Sequence, residues 1–401
     1  MQTIHVHCWW ATLVTAVVLA VPPGSVDITA DISALRSDNR DTQLLAAERL
    51  VAQGAAAVRP LVDELALPEK HGVVEDILVQ IGSVALNDLK RGCSSRSQKV
   101  RRNCYVISLR ILASSRDEEG FCSIFAAAAS DRDPLISTTV FAEVENGIVP
   151  TAWNRSCATI VLRHLKTSRS NFMAVRALGF LSSDDIPTNA AVAEQLAILL
   201  GDDDSHLRSQ AVDSICRMRA NAAAAIPALL ELAVNDTLEI RRDAIRAIAG
   251  TGARGGAVEE VLCGAIEEGD VISTYAALDG LIAIRHLADE ATKRLRTAFR
   301  DKKCDELIQY ELAYAIAVID PDVTWRRKAY LQLAACASSD EEDPAIRMQA
   351  IERIGRLESF ASTSLPRLRK IASRAGVEPA IREESVRAIQ RLERMNESIL
   401  Y

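Results

Sequence analysis

One apolar pattern recurs along this chain and limits the folds that it can adopt. From Leu207 the apolar residues are Leu207, Ala211, Val212, Ile215 and Met218, and this spacing places them on one stripe of an α-helix. Similar stripes occur around Ala46, Ile77, Tyr105, Val140, Ala174, Ile240, Ala277, Leu312, Ile346 and Ile381. Equivalent positions lie roughly 28 to 38 residues apart, which is typical of helical solenoids whose repeats pack on their neighbours.

A second helix is expected after each stripe, because a short turn and further apolar residues follow it. Proline precedes the apolar residues at Pro60, Pro227 and Pro366, where we expect the first turn of this second helix. Acidic clusters at 202–205 and 340–344 are typical of helix N-caps. Only 4% of residues are aromatic, which favours closely packed helices. The sequence therefore predicts an all-α solenoid of roughly eleven helix pairs over residues 27–401.

The first 26 residues differ from the rest, since they hold no Asp, Glu, Lys or Arg. The apolar run from Cys8 to Val21 is shorter than the roughly 20 residues that span a bilayer, and Pro22, Pro23 and Gly24 follow it. We therefore predict a signal peptide at 1–26 and a periplasmic or extracellular protein. A retained membrane anchor, or a cytoplasmic protein with a mis-assigned start, remains an alternative.

The nine cysteines contain no C-x-x-C pair, so they do not form a zinc pattern. Cys216, Cys263 and Cys336 lie in apolar helical segments, where cysteine acts as a small hydrophobic residue. Removal of Cys8 with a signal peptide would leave an even number, which permits disulfides without requiring them.

Four dipeptides open stripes of the same kind: Leu207-Arg208, Ile240-Arg241, Ile346-Arg347 and Ile381-Arg382. With the Gly250-Thr251-Gly252 turn, they make the chain resemble the HEAT-repeat family, including the bacterial phycobilisome-lyase HEAT-like repeats. The resemblance runs from about Asp31 to the C-terminus and loosens between Cys93 and Ser170. It implies an α-α superhelix and says little about activity; armadillo repeats remain a near alternative.

No constellation of catalytic residues is evident. The sequence has no H-E-x-x-H, no G-x-S-x-G, and no Gly-Lys-Ser/Thr ending after the glycines at 250–256. No histidine is followed by Glu, unlike the iron-binding pairs of the HEAT-repeat deoxyhypusine hydroxylases. We expect His164 and His206 to be exposed or capping, and we predict no catalytic, cofactor or metal site.

Two features are candidates for partner binding. The segment 90–102 contains no acidic residue, and its cations are Lys90, Arg91, Arg96, Lys99, Arg101 and Arg102. It is predicted to be mostly loop, with Arg101 and Arg102 entering the next helix, and it suits an acidic partner, a phosphate backbone or a membrane face; a solvated loop is the alternative. Trp325 is predicted at a helix start, either as a partner anchor or packed between repeats.

The predicted function is a non-catalytic scaffold that binds a protein or peptide partner on a curved face lined by second helices. Glu231, Glu259, Arg367 and Arg369 are candidates for that face. One alternative is a chromophore lyase or chaperone of the phycobilisome HEAT-like type. Another is nucleic-acid contact through the segment 90–102, although the net charge of -7 argues against broad nucleic-acid or membrane binding.

Overall fold

A computed structural model of the protein describes residues 27–67, 71–168, 171–301 and 305–398. The predicted signal peptide lies outside these residues. Every regular element in the described ranges is helical, with twenty-two α-helices and four short 3-10 segments. The prediction of an all-α solenoid with about eleven helix pairs is confirmed.

The chain divides into two compact units, residues 1–124 and 125–401. In the first unit, α2 packs on α4 and α4 on α6, while α1 packs on α3 and α3 on α5, so the described helices form two layers. Helix α7 contains the division. The helices up to this point are α1 (Ile28–Ala34), α2 (Arg40–Gln53), α3 (Ala55–Glu64), α4 (His71–Ile81), α5 (Leu86–Gly92), α6 (Gln98–Ser115) and α7 (Glu118–Ala129).

The second unit repeats the same arrangement. Its helices are α8 (Pro134–Glu145), α9 (Asn154–Leu165), α10 (Phe172–Phe180), α11 (Ile186–Leu199), α12 (Ser205–Met218), α13 (Ile226–Asn235), α14 (Leu238–Thr251), α15 (Gly256–Glu268), α16 (Val271–Ile284), α17 (Asp289–Arg300), α18 (Glu306–Ile319), α19 (Val323–Ser338), α20 (Pro344–Ile354), α21 (Ala361–Ser373) and α22 (Pro379–Ser398). The even-numbered helices from α8 to α22 stack on one another in sequence. All eleven predicted stripes lie in even-numbered helices, which we call stripe helices; the odd-numbered ones are the second helices.

The stripe helices approach one another closely because small residues lie where they touch. Ala211 and Ala244, the small residues of the repeated stripe, are completely buried. At Gly179 in α10, an added Cβ would lie 2.8 Å from the Cα atom of Ser214 in α12. Gly355 approaches Ala388 in the same way. Close packing of successive stripe helices is therefore one part of the core of the second unit.

The predicted helix caps are confirmed, whereas two of the three proline positions are wrong. Asp204 caps α12 by accepting a hydrogen bond from the backbone N–H of His206 at 2.9 Å. Pro227 lies in the first turn of α13, as expected. Pro60 and Pro366 instead lie at the sixth residue of α3 and α21, because small residues extend both helices upstream of the proline.

Arg-Asp pairs fasten a stripe helix to the turn that follows its second helix. The Arg208 side chain donates to both carboxylate oxygens of Asp236, with N···O distances of 2.7 and 2.9 Å. Arg242 binds Asp270 in the same bidentate way. The guanidinium lowers the pKa of each carboxyl. We call these two pairs the arginine clasps.

Candidate binding surfaces

Trp325 lies in the first turn of α19, where the sequence places a helix start. Asp322 caps this helix by accepting from the Thr324 N–H at 2.8 Å. The indole is half-buried, and the Phe299 ring of α17 packs against it edge to face, with 6.5 Å between ring centroids. The tryptophan therefore packs between two second helices and still exposes part of its ring.

Three cationic side chains surround this ring. The guanidinium carbons of Arg296 and Arg300 lie 5.1 and 4.5 Å from its centroid, and the Lys328 ammonium lies 5.1 Å away. Arg296 also makes two hydrogen bonds to Asp320, at 2.8 and 2.6 Å. Arg300 and Lys328 are exposed and form no ion pair within the described residues. We call these four residues, Trp325, Arg296, Arg300 and Lys328, the Trp325 patch.

The basic segment 90–102 is more helical than predicted. Lys90 and Arg91 end α5, and Lys99, Arg101 and Arg102 lie in α6, so only residues 93–97 connect the helices. Arg91 pairs with Asp88 at 2.8 Å, the Lys99 ammonium donates to the Leu67 carbonyl at 2.8 Å, and Arg102 donates to Asn103 at 3.3 Å. Lys90 and Arg96 are exposed and form no ion pair in the described part of the chain.

Arg101 is buried, although the sequence suggests an accessible cation at a helix entry. It is only 4% exposed, and its Nη1 donates to the carbonyls of Ser95 and Arg96 at 3.0 and 3.3 Å. Arg208 donates to the carbonyls of Asp202 and Asp203, six and five residues before it, in the same way. Val100-Arg101 is therefore another copy of the repeated apolar-Arg dipeptide, and its arginine closes the inter-helix turn.

Of the four second-helix residues expected to face a partner, Glu259 is wrongly placed. It is 7% exposed, and its carboxylate accepts a hydrogen bond from the Ala288 N–H at 2.8 Å. The sequence gives no signal for this hydrogen bond, because the Ala288 N–H belongs to the following repeat. Glu231, Arg367 and Arg369 are exposed, and Arg369 pairs with Glu393 at 2.7 Å.

A polar cleft in the second unit contains His164. Its volume is about 380 Å³, and its continuation towards α12 measures about 640 Å³. The His164 ring packs edge to face on Phe141, at 5.0 Å between centroids, and its Nε2 lies 3.3 Å from the Asn171 amide nitrogen. Burial lowers the pKa of His164. The cleft is lined by His164 of α9 and by residues of the turns that precede α8, α10 and α12, namely Asp131, Thr167, Ser168, Asn171 and Asp204.

His164 is half-buried rather than exposed or capping as predicted, because it packs beneath these turns. The sequence gives no signal for the cleft, since its residues are brought together only by the stacking of repeats. Within the described ranges, no group of His, Cys, Asp and Glu side chains is arranged to hold a metal ion.

Cys216, Cys263 and Cys336 have free thiols. Cys263 and Cys336 are buried and Cys216 is half-buried, in agreement with their predicted role as small hydrophobic residues. Burial raises the pKa of the Cys263 and Cys336 thiols to about 11. None of the described helices is long and apolar enough to span a bilayer.

Comparisons with known proteins agree with this architecture. No protein-family model and no curated protein matches the sequence. The chain is similar to a solved structure of Kap95p bound to RanGDP, with a TM-score of 0.55 and 12% identity over 92% of this chain and 55% of that one. It is also similar to importin beta, with a TM-score of 0.50 and 12% identity over 93% of this chain and 62% of that one. The chain thus spans less than two thirds of either protein, and the likeness shows a HEAT-type helical solenoid fold.

Proposed function

We propose that this protein is a binding scaffold built from helix pairs, and that the Trp325 patch anchors a protein partner. The observation that supports this proposal is a half-exposed tryptophan with two unpaired cations beside it. Tryptophan and arginine are the side chains that most often dominate the free energy of protein interfaces. Because the ring is held by Phe299 and Arg296, little rotamer freedom is lost on binding.

The fold supports this proposal by analogy. Stacked helix pairs expose long, regular surfaces that suit protein or peptide ligands. Kap95p, whose structure is similar, binds RanGDP. A fold alone does not define a function, so the proposal depends on the patch.

The observations do not favour the two alternatives. Burial raises the pKa of Cys216, Cys263 and Cys336, which disfavours a lyase that would carry its chromophore on one of these three thiolates. Nucleic-acid binding through the segment 90–102 would use a row of free cations, whereas Arg101 closes a turn and Arg91 is paired with Asp88.

The test is co-purification of the tagged full-length protein from its native cells, compared with Trp325→Ala. We expect the variant to lose its principal partner, since removal of an interface tryptophan costs about 2 kcal/mol or more, which is roughly thirtyfold in affinity. Leu331→Ala is the matched control, because Leu331 is an exposed apolar residue on the same helix. Circular dichroism checks that both variants are folded.

Recovery of the same proteins in equal yield with Trp325→Ala would contradict the proposal.

We also propose that the protein is exported, on the basis of residues 1–26. The purified protein provides the test of its compartment. Sequencing of the mature N-terminus should begin after the apolar run. A cytoplasmic protein that still begins at Met1 would exclude export.

A further inference from the structure

We infer that the partner presents an acidic peptide segment to the Trp325 patch; this inference rests on the proposed function. The free polar groups of the patch are all hydrogen-bond donors: the Arg300 guanidinium, the Lys328 ammonium and the Trp325 indole N–H. Within the described residues, none of the three makes a hydrogen bond or an ion pair. A site with donors and no free acceptor favours a ligand rich in acceptors.

Two carboxylates beside the patch, Asp320 and Asp322, are already engaged. Asp320 is almost completely buried and binds Arg296, so this pair adds no net charge. Asp322 accepts hydrogen bonds from the first turn of α19, which lower the pKa of its carboxyl. Arg300 and Lys328 therefore stay unpaired cations within the described residues, on a chain whose net charge is -7. These two cations would attract an anionic segment locally.

The ring does not prevent Arg300 from binding a carboxylate. A guanidinium above an aromatic face still directs its N–H groups outwards in its own plane. Its carbon lies 4.5 Å from the Trp325 centroid, so a carboxylate bound to Arg300 would lie beside the indole. Val323, 65% exposed and two residues away, adds apolar surface for a neighbouring side chain.

The number of free cations favours a peptide over a nucleic acid. A single strand carries one phosphate about every 3.4 Å, and its affinity comes from many cations in a row. The patch has two unpaired cations and one half-exposed ring. This set matches one or two carboxylates beside an apolar side chain, which is the composition of a short acidic segment.

The experiment is selection of a random peptide display library on the immobilised full-length protein, on Trp325→Ala and on the double variant Arg300→Gln/Lys328→Gln. We expect the wild-type protein to retain peptides in which Asp or Glu adjoins an apolar residue. A synthetic peptide from this pool should change the fluorescence of Trp325, and it should bind the double variant about tenfold more weakly. Its affinity should also fall as ionic strength rises.

Retained peptides without enrichment in Asp or Glu would overturn the inference, as would equal affinity for the double variant. Failure to retain any peptide that depends on Trp325 would overturn it too, and so would tighter binding of a single-stranded oligonucleotide. These outcomes are distinct from failure of the proposed function. A native partner that needs Trp325 but binds the double variant normally would leave the scaffold proposal intact and exclude only the acidic segment.

Discussion

Substitution of Gly179 by alanine tests whether the stripe helices are held at backbone contact. The added Cβ would lie 2.8 Å from the Ser214 Cα atom and 3.1 Å from both the Cβ and the carbonyl oxygen of Ser214. Carbon atoms prefer separations of about 3.5 to 4.0 Å, so α12 must move away from α10. The Ser214 hydroxyl, which donates to the Val175 carbonyl at 2.9 Å, would move with it.

Two opposing terms determine the size of the effect. Overpacking of a core costs about 1 to 3 kcal/mol, and the upper part of this range applies because the obstacle is backbone. Replacement of a helical glycine by alanine recovers about 1 kcal/mol of helix propensity. The free energy of unfolding should therefore fall by about 1 to 2 kcal/mol.

Gly264→Ala is the matched control. Gly264 lies in the interior of α15, and a Cβ added there would meet no atom within 4 Å, so this variant should gain about 0.5 to 1 kcal/mol. Urea denaturation followed by far-ultraviolet circular dichroism measures both changes. A Gly179→Ala protein as stable as the wild type, or stabilised like Gly264→Ala, would refute backbone contact between α10 and α12.

Two further substitutions test interactions at the turns. Asp236→Asn should remove about 1 kcal/mol of stability at neutral pH, because it breaks the clasp with Arg208. The clasp lowers the pKa of Asp236 in the folded protein, so its contribution to stability is present above the unfolded pKa near 4 and is lost as pH falls. Urea titrations over a pH series should show the unfolding free energies of the two proteins converging in acid. A constant difference between them would contradict this cause. Arg101→Ala should lower the free energy of unfolding by about 1 to 2 kcal/mol, because the Ser95 and Arg96 carbonyls lose their donor. Arg96→Ala, at an exposed site, should change it by less than about 0.5 kcal/mol in thermal unfolding, and equal effects would argue against a turn-closing role for Arg101.

The stripe helices could be predicted because their signal is local. Each stripe lies within one helix, and a buried alanine such as Ala211 lies at a fixed position in it. The beginnings of the second helices were harder to predict. Pro60 and Pro366 suggest first turns, but alanine and serine upstream extend both helices by more than a turn. Proline favours a helix start at its own position, but neighbouring residues with helical preference can extend the helix upstream of it.

The roles of single charged residues were harder to predict, because they depend on contacts between repeats. Arg101 and Arg96 belong to one basic segment, yet one is buried and the other is exposed. The available signal was that Arg101 directly follows Val100, since an apolar residue followed by arginine opens other repeats. The three cations around Trp325 come from two helices, α17 and α19, whereas the sequence pattern singles out only the tryptophan.

Each arginine clasp lies wholly within one repeat length of the chain. Arg208 and Asp236 are 28 residues apart, as are Arg242 and Asp270, so the block that supplies the arginine also supplies its acid. A tandem duplication of such a block copies donor and acceptor together, and no compensating change is needed in the flanking repeats. A duplication of either clasped block can thus lengthen the solenoid, in evolution or by engineering, without leaving the aspartate of the clasp unpaired at the new junction.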